Sequence, residues 1–155
     1  MLHLLVQLGH DRYALPARDI VEVLPLVALK SLPGAPRGVA GLLDYRGTSL
    51  PVVDLSALAL GTPAVPRVST RLLIVRYRPV RGGEQLLGLV AERTTATLRR
   101  PEKDFQPSEV TADGARYLGP VVRDAGGLIQ RVEISTLLND ETRAALFPET
   151  TEAAG

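Results

Sequence analysis

Glycine and proline interrupt this chain so often that only short regular elements fit between them. Fourteen Gly and 12 Pro are spread over 155 residues, and the stretches they separate are short apolar runs. Leu2, Leu4, Val6 and Leu8 alternate with His3, Leu5 and Gln7, the period of two that marks a strand. Gly9-His10-Asp11 turns the chain into a second strand at Tyr13-Ala14-Leu15, which ends at Pro16. Ile20–Leu24 reads either as a strand or as a short helical turn capped by Asp19. After the Pro-rich loop over 32–36, Val39–Tyr45 and Thr48–Asp54 form a hairpin. Gly47 supplies the positive φ of its turn, and Pro51 demands an edge or a kink. Asp54 then caps a short helix with Leu55, Leu58 and Ala59 on one face, stopped by Gly61 and Pro63.

The second half follows the same style. Leu72-Leu73-Ile74-Val75 is apolar on both faces and therefore predicts a central strand. Gly82-Gly83 turns toward a strand over 86–98. The Asp124-Ala125-Gly126-Gly127 turn joins strands over 117–123 and 128–134. Ser135 is positioned to cap a closing helix containing Leu137, Leu138, Ala145 and Leu146, ended by Pro148. Many short strands with turns every 8–12 residues point to a mostly β fold, a barrel or a sandwich, rather than a doubly wound parallel sheet. The length suits one domain over 1–147, with a polar tail over 148–155.

Composition excludes much chemistry. There is no cysteine, so disulfides, thiolate metal sites and cysteine nucleophiles are out. Only His3 and His10 carry imidazole, and they read as strand-end or surface groups rather than metal ligands. No P-loop, dinucleotide fingerprint or nucleophile elbow is present, and no cofactor is expected. A net charge of +1 and few aromatics argue against nucleic-acid binding. The N-terminus lacks a basic region and no apolar run reaches the ~18 residues of a membrane span, so a cytoplasmic protein without direct membrane insertion is expected. The carboxylates Asp44, Asp54 and Glu22 leave one enzymatic alternative, a small β-barrel hydrolase or sugar-binding protein.

The stretch Pro33-Gly34-Ala35-Pro36-Arg37-Gly38-Val39-Ala40-Gly41-Leu42-Leu43-Asp44-Tyr45-Arg46-Gly47, continued by Pro51-Val52-Val53-Asp54-Leu55, resembles the signature of the CheW-like domain family. Ile20-Val21-Glu22-Val23 and Gly88-Leu89-Val90-Ala91-Glu92 agree with other family segments in order, so the resemblance spans about residues 2–140. It implies two intertwined five-stranded SH3-like barrels with short helices, including a C-terminal one. It also implies a non-catalytic adaptor that couples the hairpin tips of chemoreceptors to the regulatory domain of a CheA-type histidine kinase, at arrays on the inner face of the membrane. A chain of this length then looks like the free-standing coupling protein. By the same resemblance, Asp44, Tyr45, Arg46 and Gly47 form the receptor-facing turn, and Ile20 and Glu22 the kinase-facing segment. The residues alone are equally consistent with a solvated Glu22 between core valines. Asp44 stands where the family usually has Asn, and the usual Leu-Asp close is missing near Ile134, the marks of a divergent member.

Overall fold

Turn chemistry and alternation place the strands where the sequence suggests. In the computed structural model, which describes residues 1–79, 83–108 and 115–148, nine strands and two short helices are formed. The strands are β1 (Leu2–Leu8), β2 (Asp11–Pro16), β3 (Ile20–Pro25), β4 (Val39–Tyr45), β5 (Thr48–Asp54), β6 (Arg71–Tyr77), β7 (Gln85–Arg99), β8 (Leu118–Asp124) and β9 (Gly127–Val132). Helix α1 (Leu55–Leu60) follows β5, and α2 (Asp140–Leu146) closes the described chain. The fold is mostly β. The turn expected at Gly82-Gly83 lies partly outside the described residues, and the tail from 149 onward wholly so.

Ile20–Leu24 is a strand, because Asp19 ends a single 3-10 turn instead of starting a helix. Asp54 caps α1, its Oδ1 accepting from the Ala57 amide at 3.2 Å, and Gly61 closes the helix with φ 79°. The expectation for the closing helix needs correcting. Ser135 sits inside a 3-10 turn over Ile134–Thr136, and Asn139 is the true cap, accepting from the Thr142 amide at 2.7 Å. Leu137 and Leu138 precede the helix, buried in the core. Asn139 is followed by Asp140 and Glu141, which favour a helix N-terminus, and this outcompetes the earlier serine.

The long strand β7 organises everything else. Over Gln85–Ala91 it pairs antiparallel with β6, and over Gly88–Val90 parallel with β5. Beyond Glu92 it pairs instead with β1. A register shift against β1 accompanies the change, and Arg93 takes φ 48° there, so the strand bulges as it passes from one group of partners to the other. Barrel one comprises β3, β4, β5, β6 and the first half of β7. Barrel two comprises β1, β2, β8, β9 and the second half of β7. Each has five strands because β7 serves both.

Each barrel is closed by one isolated two-hydrogen-bond bridge. Lys30 bridges to Leu42 at 2.9 and 2.8 Å, and Gln106 to Val121 at 2.8 Å both ways. The barrels are intertwined in sequence: β1 and β2 enter barrel two before β3–β5 build barrel one. The apolar run of β6 explains itself here. Leu72 and Ile74 face the interior of barrel one, while Leu73, Val75 and Tyr77 face a core shared between the barrels. Pro51 is tolerated because β5 meets β7 only from Val52 onward, leaving it with β4 alone as partner.

Candidate protein-docking site

The β4–β5 turn presents Arg46 on a stiff support. Tyr45 pairs with Thr48, and the two residues between them have positive φ, 51° at Arg46 and 83° at Gly47. This is the geometry that matches strand twist across a two-residue hairpin loop. Glycine adopts it without strain; an arginine does so at a cost that the surrounding contacts must offset. Those contacts are visible. The Arg46 guanidinium carbon lies 5.1 Å from the centroid of the Tyr45 ring, a cation–π arrangement. Arg46 Nη2 donates to Glu22 Oε1 at 3.0 Å, and the Tyr45 hydroxyl donates to the same oxygen at 2.6 Å. The Glu22 carboxylate therefore holds the Tyr45 proton and raises the phenol above its ordinary pKa. Arg46 nevertheless remains 74% exposed, with one nitrogen engaged and the rest of its donors open to a partner.

The structure thus joins residues that the family resemblance divides between two surfaces. Glu22, assigned to the kinase-facing segment, is in hydrogen-bonding contact with Tyr45 and Arg46 of the receptor-facing turn. Asp44, which could have held Arg46, does not: it is exposed opposite Ser49, and the arginine's ion pair is with Glu22.

Strand β3 corrects a second expectation. Ile20, Glu22 and Leu24 point inward and are half-buried, Ile20 against the shared core and Leu24 against barrel one. Glu22 does not lie between core valines; Val21 and Val23 are the outward residues, 40% and 45% exposed. Leu26 and Val27, just beyond the strand, are exposed as well. In the described sheet β3 pairs only with β6, so its other edge is free. The sequence leaves Ile20–Leu24 open between a strand and a helical turn, and so leaves open which of its residues face inward. A charged residue among aliphatics suggests the solvent face, and here the Tyr45 and Arg46 donors draw it inward.

Two surface cavities test the carboxylate reading. One, of about 340 Å³, lies just past the turn between Thr48–Pro51, the start of β7 and the end of α2 at Leu146 and Phe147. Its one carboxylate is Glu84, ion-paired with Arg78 at 2.6 Å. The other, of about 480 Å³, lies on barrel two, and its one carboxylate, Asp104, is ion-paired with Arg100 at 2.9 Å. Neither brings together the two carboxyls a glycosidase needs. Asp54 is committed to structure, its oxygens accepting from the Ala57 and Ala64 amides. Among the described residues no cluster of His, Asp and Glu fit for a metal occurs, and no helix is long and apolar enough to cross a membrane.

Comparison with known proteins fits this architecture. The chain is 29% identical over 143 residues to protein FrzA of Myxococcus xanthus, covering 90% of this chain and 86% of that one. It is 29% identical over 101 residues to the chemotaxis protein CheW of Helicobacter pylori, a match that takes in 64% of this chain and 58% of its relative. The scaffolding protein TtCheW of Thermoanaerobacter tengcongensis superposes with a TM-score of 0.76 over 91% of this chain and 89% of its own, at 21% identity, which shows a shared fold. Residues 2–142 match the CheW-like domain, and the chain belongs to that family.

Proposed function

We propose that this protein is a non-catalytic adaptor in chemosensory signalling, coupling the cytoplasmic hairpin tip of a chemoreceptor to the regulatory domain of a CheA-type histidine kinase at receptor arrays. The observation that carries this reading is Arg46, held on a rigid turn by Glu22 and Tyr45 yet 74% exposed. An arginine so pre-organised can fork onto carboxylates of an acidic helical hairpin with little further loss of side-chain freedom. Asp44 and Gly47 complete the turn. The neighbouring cavity floor of Leu50, Leu146 and Phe147 offers apolar ground for the same partner. On the kinase side, the free edge of β3 suits docking of another small barrel. Ile20 and Glu22 support that strand from within, and Val21 and Val23 supply its contact face. The chemotaxis relatives and the scaffolding protein of like fold support the reading.

The test is co-purification with a receptor-tip fragment and, separately, with the kinase regulatory domain. Arg46→Glu should abolish receptor capture and leave kinase capture and thermal stability nearly intact; Val23→Asp should do the reverse. Unfolding of the Arg46→Glu variant would make that residue structural and overturn the site assignment. Failure of the parent protein to capture either partner would overturn the adaptor reading.

A further inference from the structure

Barrel two carries a surface that the adaptor reading does not use. The cavity of about 480 Å³ lies between the 3-10 turn that follows β7 and the β8–β9 hairpin, and is lined by Arg100, Lys103, Asp104, Val121, Arg123 and Leu128 among others. Arg100 is spoken for: its Nε donates to Asp104 Oδ2 at 2.9 Å and its Nη1 to the Arg123 carbonyl at 3.1 Å. That pair neutralises the groove's one carboxylate and props the wall. Lys103 and Arg123 are exposed and have no carboxylate partner among the described residues. Two cations without a carboxylate partner among the described residues therefore face one groove in a chain whose total charge is only +1. Val121 and Val122 line the groove as well, and Leu128 is 55% exposed beside them.

We infer that this groove is a second docking surface, which takes an acidic extended segment of a partner protein with an apolar side chain next to its carboxylates. Charge complementarity selects the occupant. Two separated cations flanking an apolar floor match alternating acidic and apolar side chains. A nucleic-acid backbone requires a longer basic track, and this surface has none of the aromatic platforms that hold bases. Lys103 and Arg123 also sit on different elements, the 3-10 turn and β8, so a bound segment would span the bridge between Gln106 and Val121 that closes the barrel. The inference is independent of the receptor and kinase assignments, whose residues lie on barrel one and at the end of α2 and do not line this groove.

The test uses the full chain, isotope-labelled, titrated with a blocked six-residue peptide of alternating Glu and Leu and with its Gln-Leu counterpart. The Glu peptide should shift amide resonances of 100–106 and 121–128 and saturate, whereas the Gln peptide should not. Lys103→Glu combined with Arg123→Glu should weaken binding about tenfold or more, and raising NaCl from about 50 to about 300 mM should weaken it severalfold. Arg46→Glu should leave it unchanged. Both groove variants are at exposed positions, and the spectrum itself reports whether they fold. Equal binding of the Gln peptide, shifts centred on Arg46, or no saturation would overturn the inference. So would groove-dependent binding of phosphatidylglycerol vesicles without peptide binding, which would make the surface a lipid contact.

Discussion

The two barrels share a strand and a topology but are filled differently. The interior of barrel one is aliphatic: Leu43, Leu50, Val52, Leu72, Ile74 and Val90. Gly88 fits among them because a Cβ there would meet Val52 Cγ2 at 2.8 Å. Barrel two has a smaller apolar set, Ala14, Phe105, Val122 and Ile129, and completes it with a polar stack. The Phe105 ring centroid lies 4.9 Å from that of His3 and 4.9 Å from the Arg131 guanidinium carbon. Arg131 is satisfied, with a two-pronged pair to Glu102 at 2.6 and 2.9 Å and a bond to Glu133 at 3.1 Å. His3 is not: it is fully buried and neither ring nitrogen has a partner in the described structure. Barrel one therefore rests on apolar packing and a close backbone contact. Barrel two rests on a plug that contains a titratable group. The hairpin tips differ in the same spirit. Asp124 is clamped by Arg12 through both oxygens, at 2.8 and 2.5 Å, whereas Arg46 meets Glu22 through one nitrogen. The first is a fastening; the second leaves its cation available.

The largest effect should come from pulling the plug. Phe105→Ala is expected to cost about 3–5 kcal/mol by urea denaturation, as for other large buried aromatics, with amide protection lost first in barrel two. A loss below about 1 kcal/mol would mean that the stack does not hold the barrel closed. Barrel one should break at Gly41, where φ is 149° and an added Cβ would strike the Lys30 carbonyl oxygen. Gly41→Ala is expected to cost about 2–4 kcal/mol and to expose the Lys30 and Leu42 amides to exchange. If those amides stay protected, the bridge is not what strains.

Acid should separate the barrels more gently. Burial, and then the charge of Arg131, lower the His3 pKa below its ordinary 6.5, with Glu102 opposing. The unfolded chain therefore binds a proton that the folded one refuses, and stability should decline as pH falls below about 6.5. The Asp124 carboxyl behaves differently. Its bonds from Arg12 hold it down to about 2, so its contribution is intact above 3.8, declines as pH falls below that and is gone by about 2. The Arg131 bonds hold the Glu102 carboxyl below its ordinary 4.5, so the loss of its contribution starts only beneath that value. Between pH 6.5 and 4.5 the decline should thus belong to His3, and His3→Leu should flatten it, whereas an unchanged slope would place the responsible proton elsewhere. The smallest effect is expected at Arg46→Gln, less than about 0.5 kcal/mol by thermal or urea unfolding, because an exposed single-pronged pair contributes little. A larger cost would turn this tip into a fastening like Arg12–Asp124.

Much of the fold was legible because turns and caps are local chemistry. Gly47 between two alternating runs, Asp54 ahead of Leu55 and Gly61 after Leu60 each act within a few residues. The double-faced run at Leu72–Val75 likewise announced a central strand. What escaped had distant causes. His3 reads as a strand-end residue until Phe105 and Arg131 are brought over it. The closing helix begins at Asn139 because two nearby residues compete for the same capping role. For the candidate site, the turn was legible, while the contact face of β3 was not.

Residue order alone calls for short strands joined by tight turns, in a chain with no cysteine and only two histidines. Which face of β3 turns inward, which barrel each strand joins and where β7 crosses between them follow from long-range pairing. The contact of Glu22 with Tyr45 and Arg46 is long-range too. The reason is that a period of two specifies sides without naming the core. That choice belongs to partners far along the chain, here the two cores on which Ile20 and Leu24 pack, with Tyr45 and Arg46 meeting the half-exposed Glu22 carboxylate.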